Sequence, residues 1–371
     1  MTAPGPPLAL LLELTHRCPL GCPYCSNPLT LERVKDELDT ATWQRVIDEG
    51  AALGALQIHF SGGEPMVRTD LASLVAHAHA AGLYTNLITS AVLLDERRLP
   101  PLQAAGLDHV QISFQDTVAD NADRIAGYAG GYEKKIKAAR LVRSAGLALT
   151  VNAVMHRQNL AHLPDMIELA LALGAGRLEV AEVQYYGWAL KNRASLMPTR
   201  EEVRQAVAIV AAARERLKGR LVIDHVVPDY YAKRPKACMG GWARQFINLT
   251  PSGLVLPCHA AQGIPTLHFD NVRERPLAEI WQHSDAFERF RGTAWMAEPC
   301  RSCELREVDW GGCRCQAMAI LGDAGATDPA CALSPHHAEL LALAETESAQ
   351  KTPPGFVYRR YAKSETAPLP A

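Results

Sequence analysis

The sequence predicts an α/β chain, a partial (β/α)6 TIM-like barrel followed by a smaller cysteine-rich domain. Three observations predict it. Six apolar, β-prone runs alternate with helical patterns over the first half of the 371 residues, in units of about 30 residues, the length of a strand plus its crossover helix. Several helical stretches end on glycine, which relieves the left-handed turn at a helix C-terminus. The ten cysteines fall into two groups, three within Cys18–Cys25 and seven from Cys238 onward, with none between.

Taken in order, Leu8–Leu14, Ala55–Phe60, Tyr84–Thr89, His109–Ser113, Ala148–Val154 and Arg177–Val183 read as strands. Most are near-continuously apolar, as parallel strands buried on both faces are. Between them Ala41–Leu53, Leu71–Ala81, Asp95–Ala105, Gly131–Ala145 and Leu160–Leu173 read as helices, several closed by Gly54, Gly82, Gly106, Gly146 or Gly174. Right-handed crossovers between such strands build an open or partial barrel; a doubly wound open sheet is the alternative that the pattern leaves. Thr199–Leu217 reads as a long helix and Leu221–Val227 as a further strand, followed by Pro228, Tyr230, Tyr231 and Pro235 as an interdomain connection. Phe246–Thr250 and Leu254–Leu256 flank Pro251-Ser252-Gly253 as a hairpin. Beyond it, irregular segments up to Cys331 carry too little apolar periodicity for a core of their own, so metal ligation is expected to supply the cross-links. The proline-bearing tail Lys351–Ala371 is expected to be loosely ordered. The expected boundaries are 1–225 for the barrel, 226–340 for the cysteine-rich domain and 341–371 for the tail.

Composition narrows the function. With 48% hydrophobic and 21% charged residues the chain is that of an ordinary globular protein. A formal net charge of −2, with no runs of lysine or arginine, offers no field for a polyphosphate backbone, so nucleic acid is not the expected partner. No apolar run approaches the about 18 residues of a transmembrane helix, and Pro7–Leu12 is too short and lacks the preceding basic residues of a signal peptide. The chain is expected to be cytoplasmic, without a membrane partner, and its cysteines are expected to ligate metal rather than form disulfides.

Cys18-Pro19-Leu20-Gly21-Cys22-Pro23-Tyr24-Cys25 follows the first predicted strand at its C-terminal end, where barrel enzymes place their chemistry. Three thiolates can hold an iron–sulfur cubane and leave one iron open to a substrate or cofactor. Structural zinc is the alternative, but a C-x3-C-x2-C run with no nearby fourth Cys or His is unusual for it. Gly62-Gly63-Glu64-Pro65 follows the second strand; its glycines admit a close backbone approach, and its carbonyls or Glu64 can accept from a cation.

Cys18, Cys22, Tyr24 and Cys25 match the C-x3-C-x-aromatic-C motif of the radical S-adenosylmethionine (SAM) superfamily, which the sequence resembles. The resemblance implies a [4Fe–4S] cluster whose open iron chelates the amino and carboxylate groups of SAM. It also implies that Tyr24 packs near the adenine, that Gly62, Gly63, Glu64 and Pro65 form the motif binding the methionine ammonium, and that Ser113 and Asn152 contact the SAM ribose or carboxylate.

The later cysteines resemble the SPASM extension of radical SAM enzymes that modify peptides, which holds two auxiliary clusters around a C-x2-C-x5-C-x3-C core. Here the core reads Cys300-x2-Cys303-x5-Asp309-x3-Cys313, with aspartate in the third position. Two four-donor sites need eight donors, and seven cysteines remain after the first three. By resemblance Cys238, Cys258, Cys313 and Cys315 bind the first auxiliary cluster and Cys300, Cys303, Asp309 and Cys331 the second, the two clusters being a [4Fe–4S] and a [2Fe–2S] or [4Fe–4S]. Two zinc sites are the alternative, for which the Cys313-x-Cys315 pair is atypical.

The segments Gln184–Arg193, Leu249–Ala261 and Gly311–Ala317, together with Asp309, resemble the PqqE family of pyrroloquinoline quinone (PQQ) biosynthesis, over nearly the whole chain. That resemblance implies an oxidoreductase that cleaves SAM to a 5′-deoxyadenosyl radical. The radical takes hydrogen from a glutamate side chain of the precursor peptide PqqA, and the resulting carbon radical joins a tyrosine ring. The adduct must then lose an electron and a proton, so the peptide ends two hydrogens lighter. The family implies a peptide chaperone, PqqD, and an electron donor such as flavodoxin or ferredoxin. Because only about seven residues precede the first strand, PqqD rather than a domain of this chain is expected to present the peptide leader. Tyr185, Tyr186, Trp188, Asn192 and Arg193 are the candidates for contacting the peptide, Arg193 through a carboxylate. Another SPASM maturase, making thioether links or oxidising a sulfatase residue to formylglycine, and a non-enzymatic metal-binding protein are the competing readings.

Overall fold

The computed structural model describes residues 4–227 and 229–361, so Pro228 and the tail residues 362–371, Pro368 and Pro370 among them, lie outside the described residues. The strands are β1 (Ala9–Glu13), β2 (Gln57–Ser61), β3 (Tyr84–Thr89), β4 (His109–Phe114), β5 (Ala148–Met155), β6 (Arg177–Glu182), β7 (Val222–Val226), β8 (Phe246–Leu249) and β9 (Val255–Leu256). They form one sheet in the order β7-β6-β5-β4-β3-β2-β1-β8-β9. β1 to β7 pair in parallel with their sequence neighbours, the layout of a partial barrel and not of a doubly wound sheet. β7 therefore extends the expected six strands by one. On the other side β8 pairs in parallel with β1, Ala9 opposite Phe246, and turns back antiparallel into β9. The hairpin of the cysteine-rich segment thus grows on the barrel's own edge.

The strands are less uniformly apolar than expected. Leu10, Leu12, Ile58, Phe60, Leu87, Val110, Ile112, Val151, Leu178 and Val180 are fully buried under the helices. The alternate positions of the middle strands carry polar groups bonded across the sheet: Asn86 to His59 at 2.9 Å, Gln111 to Glu179 at 2.9 Å and Asn152 to Glu179 at 2.8 Å. A barrel interior that opens to a cavity needs this period of two, one face for the core and one for polar contacts.

The crossover helices Thr40–Ala52, Leu71–Ala80, Leu99–Ala104, Gly131–Ser144, Leu163–Ala172 and Arg200–Arg216 cover the outside. Asp39 caps the first by accepting from the Thr42 amide, and Thr199 with Glu202 forms a capping box on the last. The third begins at Leu99 rather than Asp95, because Pro100 and Pro101 fit the first helical turn and not its interior. A short helix, Ala119–Ala126, was not apparent in the sequence, and neither was His337–Ser348. The stretch 354–361 is not a loose tail: it runs as a strap over the barrel, held by Ser195 Oγ donating to the Pro354 carbonyl at 2.8 Å and by Val357 N donating to Asn192 Oδ1 at 2.7 Å.

Candidate active site

The loops that follow β1 to β6 enclose a cavity of about 310 Å³ at the C-terminal ends of the parallel strands. Cys18, Cys22, Tyr24 and Cys25 line it from the loop after β1, Gly62 and Gly63 from the loop after β2, and Ser113 and Asn152 from β4 and β5. The glycine pair lies against the cysteine loop. A Cβ on Gly62 would stand 2.4 Å from the Thr15 carbonyl oxygen and one on Gly63 2.3 Å from that of Arg17, so no side chain fits at either position. Gly63 N and Glu64 N donate to those same carbonyls, at 2.6 and 2.8 Å.

Glu64 and Pro65 do not line the cavity. The Glu64 carboxylate, expected as a possible acceptor for a bound cation, is fully buried and accepts from Thr89 Oγ1 (2.7 Å), Ser90 N (2.8 Å), Ser90 Oγ and Met66 N (3.1 Å). Those bonds tie the loop after β2 to the end of β3. The glycine backbone, not the carboxylate, is what the motif offers to the cavity.

The three thiols are enclosed, and burial pushes Cys18 and Cys25 up and brings Cys22 to about 11. Leu20 N donates to Cys18 Sγ at 3.4 Å. Three half-buried sulfurs on one cavity wall, with an amide already directed at one of them, suit a cluster that would take them as thiolates. Tyr24 stacks at a tilt on His156, ring centroids 5.6 Å apart.

The seven later cysteines lie in two groups. Sulfur contacts link Cys238 to Cys313, Cys313 to Cys315, and Cys315 to Cys258. Donation from Cys315 brings Cys258 down to about 7, while Cys315 itself is pushed up. Gln316 N donates to Cys313 Sγ at 3.4 Å, and Asp328 accepts from Cys313 N at 2.6 Å. Cys300, Cys303, Asp309 and Cys331 line a second, small pocket together with Arg306 and Thr327. There Leu305 N donates to Cys303 Sγ at 3.4 Å, and Gly311 N to Asp309 Oδ1 at 3.0 Å. All ten cysteines are free of disulfides. Among the described residues no group of three or more His, Cys, Asp or Glu side chains closes at the spacing of a single bound ion; in a multi-iron cluster the ligands sit on separate metals.

Of the five candidates for peptide contact, only Tyr186 reaches the cavity. Arg193 is bonded instead to Glu347, Nε to Oε2 at 2.8 Å and Nη2 to Oε1 at 2.9 Å, which pins the helix His337–Ser348 to the barrel. Asn192 is buried, its amide donating to the carbonyls of Pro23, Trp188 and Val357. Tyr185 packs on Tyr230, and Trp188 donates to the Pro28 carbonyl at 3.2 Å.

Several cavity residues carried no sequence signal. Glu182, at the end of β6, is buried with Oε2 unpartnered and Oε1 3.1 Å from His225 Nε2; burial raises its carboxyl. Thr89, Ser90, Gln115 and Gln184 also line the wall, as does Arg359 of the strap. A second cavity, about 510 Å³, adjoins the first and shares Ser26 and Tyr186 with it. It runs between residues 26–32 and 259–263, and the Tyr186 hydroxyl bonds His259 Nε2 in the dividing wall.

Comparison with known proteins gives the following. The radical SAM superfamily profile matches residues 12–170, and the profile of the SPASM iron–sulfur cluster-binding domain matches residues 238–304. The PqqA peptide cyclase of Rhodopseudomonas palustris is 64% identical over 96% of this chain and 95% of its own length. That of Granulibacter bethesdensis is 60% identical over 100% and 98%. Among solved structures, SuiB of Streptococcus suis bound to SAM superposes with a TM-score of 0.71 at 19% identity, covering 88% of this chain and 77% of that one. The anSMEcpe structure with SAM and a peptide superposes with a TM-score of 0.66 at 16% identity, over 92% and 96%. At these identities the two structures speak for the fold.

Proposed function

This chain belongs to the PqqA peptide cyclases, radical SAM enzymes with a SPASM domain, and from that premise we propose that it joins a glutamate and a tyrosine side chain of PqqA by a carbon–carbon bond, an early step of PQQ biosynthesis. The observation that carries the reading is the single cavity in which Cys18, Cys22, Cys25, Gly62 and Gly63 meet polar groups from β4, β5 and β6.

When bound there, SAM and a reduced [4Fe–4S] cluster supply a 5′-deoxyadenosyl radical. The protein's part is to bind and to orient. Cys18, Cys22 and Cys25 are assigned as cluster ligands, and the Gly62–Gly63 backbone as the edge that receives an ammonium. Ser113, Gln115 and Asn152 supply donors and acceptors suited to ribose hydroxyls, and Tyr24 an aromatic face for the adenine. Glu182, with one oxygen unpartnered, is an acceptor for a ligand donor. The peptide enters on the side of the second cavity, where Tyr186 is the shared wall. Cys238, Cys258, Cys313 and Cys315 are assigned to one auxiliary cluster, and Cys300, Cys303, Asp309 and Cys331 to the other, as [4Fe–4S] and either [2Fe–2S] or [4Fe–4S].

PqqD as peptide carrier, a flavodoxin or ferredoxin as electron donor, and a cytoplasmic site of action complete the reading. The cytoplasm keeps thiols reduced for ligation, and no helix among the described residues is long and apolar enough to cross a membrane. The test is anaerobic reconstitution with iron, sulfide, reductant, SAM, PqqA and PqqD. A peptide lighter by two hydrogens, with the new bond mapped by fragmentation to glutamate and tyrosine, supports the reading. 5′-Deoxyadenosine formation with an unchanged peptide, or a thioether product from a cysteine peptide, overturns it.

A further inference from the structure

The strap 354–361 crosses the loop that carries the first three cysteines and delivers one cation to it. Arg359 N donates to the Gly21 carbonyl at 3.0 Å, between Cys18 and Cys22 in sequence. Its Nη2 donates to the His16 carbonyl. The contact is close: a Cβ on Gly21 would stand 3.1 Å from the Arg359 carbonyl oxygen. On one side of Arg359, Val357 and Asn192 exchange two bonds, at 2.7 and 2.9 Å, and the Tyr358 hydroxyl donates to the Arg124 carbonyl at 2.8 Å. On the other, the Tyr361 hydroxyl donates to the Glu32 carbonyl at 2.9 Å. Phe356 meets His156 edge-on and lies under the Arg124 guanidinium.

Held at both ends in this way, Arg359 is only 4% exposed and still lines the cavity with Cys18, Cys22 and Cys25. Its Nε is buried without a hydrogen-bond partner, and among the described residues no carboxylate forms an ion pair with it. A guanidinium taken out of water with neither a counter-charge nor a full set of acceptors is costly unless something anionic stands beside it. The three cysteine sulfurs line the same cavity, and at each of them the Arg359 charge favours the ionised form.

We propose that Arg359 is a positioning residue for the iron–sulfur cluster that Cys18, Cys22 and Cys25 would hold, its guanidinium standing in the wall of the cavity those cysteines line and holding the reduction potential up. The inference rests on the assignment of that triad as the cluster ligands. A cubane on three thiolates is an anion, and reduction adds to its negative charge, so a buried cation nearby stabilises the reduced form more than the oxidised one. Hydrogen bonds to sulfur act in the same direction. The C-terminal strap thereby does more than close the barrel: it makes the reducibility of the cluster depend on residues distant in sequence.

The test is a redox titration of the holoenzyme, followed by electron paramagnetic resonance, on wild type, Arg359→Gln, Arg359→Met and Arg359→Lys. The auxiliary clusters serve as internal controls. The triad's signal is first identified as the one lost in Cys22→Ala; if no signal is lost, the ligand assignment itself falls, independently of Arg359. With the signal assigned, the expected result is a midpoint displaced to more negative potential in the glutamine and methionine variants and restored toward wild type by lysine, with auxiliary midpoints unmoved. Amide hydrogen exchange at 356–360 reports whether the strap stays docked. Equal midpoints in all four proteins overturn the proposal, and so does a lysine variant displaced as far as glutamine, which would mark a packing effect and not charge. Should the neutral variants fail to hold iron at the triad, the lysine variant decides alone: a retained cluster near the wild-type midpoint supports the proposal, and loss of the cluster or a large displacement overturns it.

Discussion

The Tyr186 hydroxyl and His259 Nε2 meet in a hydrogen bond across the wall between the two cavities, with ring centroids 5.3 Å apart. His259 directly follows Cys258, so this bond ties the segment after β6 to one of the cysteine sets. Tyr186→Phe keeps the ring and removes the bond. It is expected to leave 5′-deoxyadenosine formation near wild type and to lower cross-linked PqqA per SAM consumed by about tenfold, the cost of losing one positioning contact of roughly 1.4 kcal/mol. Product per SAM, measured by chromatography and mass spectrometry, decides; an unchanged ratio removes Tyr186 from the peptide path.

Asp309 shares its pocket with Cys300, Cys303 and Cys331. A carboxylate is a harder donor than a thiolate, and ligand identity is one lever on cluster potential. Asp309→Cys should therefore retain a cluster with an altered paramagnetic spectrum and midpoint, and Asp309→Ala should leave an iron open to added thiol. Neither change should abolish 5′-deoxyadenosine formation, which Cys22→Ala should. Identical spectra and midpoints in wild type and both Asp309 variants would mean that the eighth donor lies elsewhere.

Arg193 and Glu347 form a two-pronged pair whose side chains are 16% and 17% exposed. Arg193→Ala is expected to lower unfolding stability by about 2 kcal/mol, since it strands a largely buried carboxylate, while leaving PqqA affinity as in wild type. A double-mutant cycle with Glu347→Ala should show strong coupling. If peptide affinity falls and stability does not, the arginine serves the substrate instead.

His59 lies inside the barrel, where burial first and the neighbouring His109 second depress its basicity from 6.5 to about 4. The folded state binds this proton less readily than the unfolded chain. Its contribution to stability is accordingly complete above about pH 6.5 and is lost as pH falls through about 4, with roughly 3 kcal/mol at stake at most. Anaerobic urea unfolding at pH 7 and pH 5 should show a larger loss for wild type than for His59→Gln. Parallel losses in the two proteins would assign the acid sensitivity to other groups.

The parallel strands were legible because they are short apolar runs that follow helix-ending glycines, and the cysteine groups because their spacing is unusual. Glu182 was not, for it ends a strand run that reads as apolar and only the fold turns its carboxylate toward the cavity. Arg193 misled because it follows Tyr185, Tyr186 and Trp188 on the same short segment; its partner, Glu347, stands on a helix that periodicity did not reveal. The strap escaped notice for a related reason. Pro353, Pro354 and Gly355 signal disorder by composition, whereas its order comes from backbone bonds to Gly21 and Asn192, which leave no pattern in the sequence. Glu64 shows the limit of motif reading: the motif is where it was expected, but the carboxylate is spent on Thr89, Ser90 and Met66.

The parallel pairing of β1 with β8 bears on how the chain is made. β1 leaves the ribosome well ahead of its outer partner, Phe246–Leu249, which emerges only after the six strands and crossovers that follow β1. At roughly 5–20 residues per second, the edge of the nascent barrel waits tens of seconds with its amides and carbonyls unpaired. During that interval it can recruit a strand from a neighbouring chain, and the cysteine loop at its end is exposed with it. Slow translation of the middle of the message prolongs this exposure, and truncation ahead of residue 246 makes it permanent.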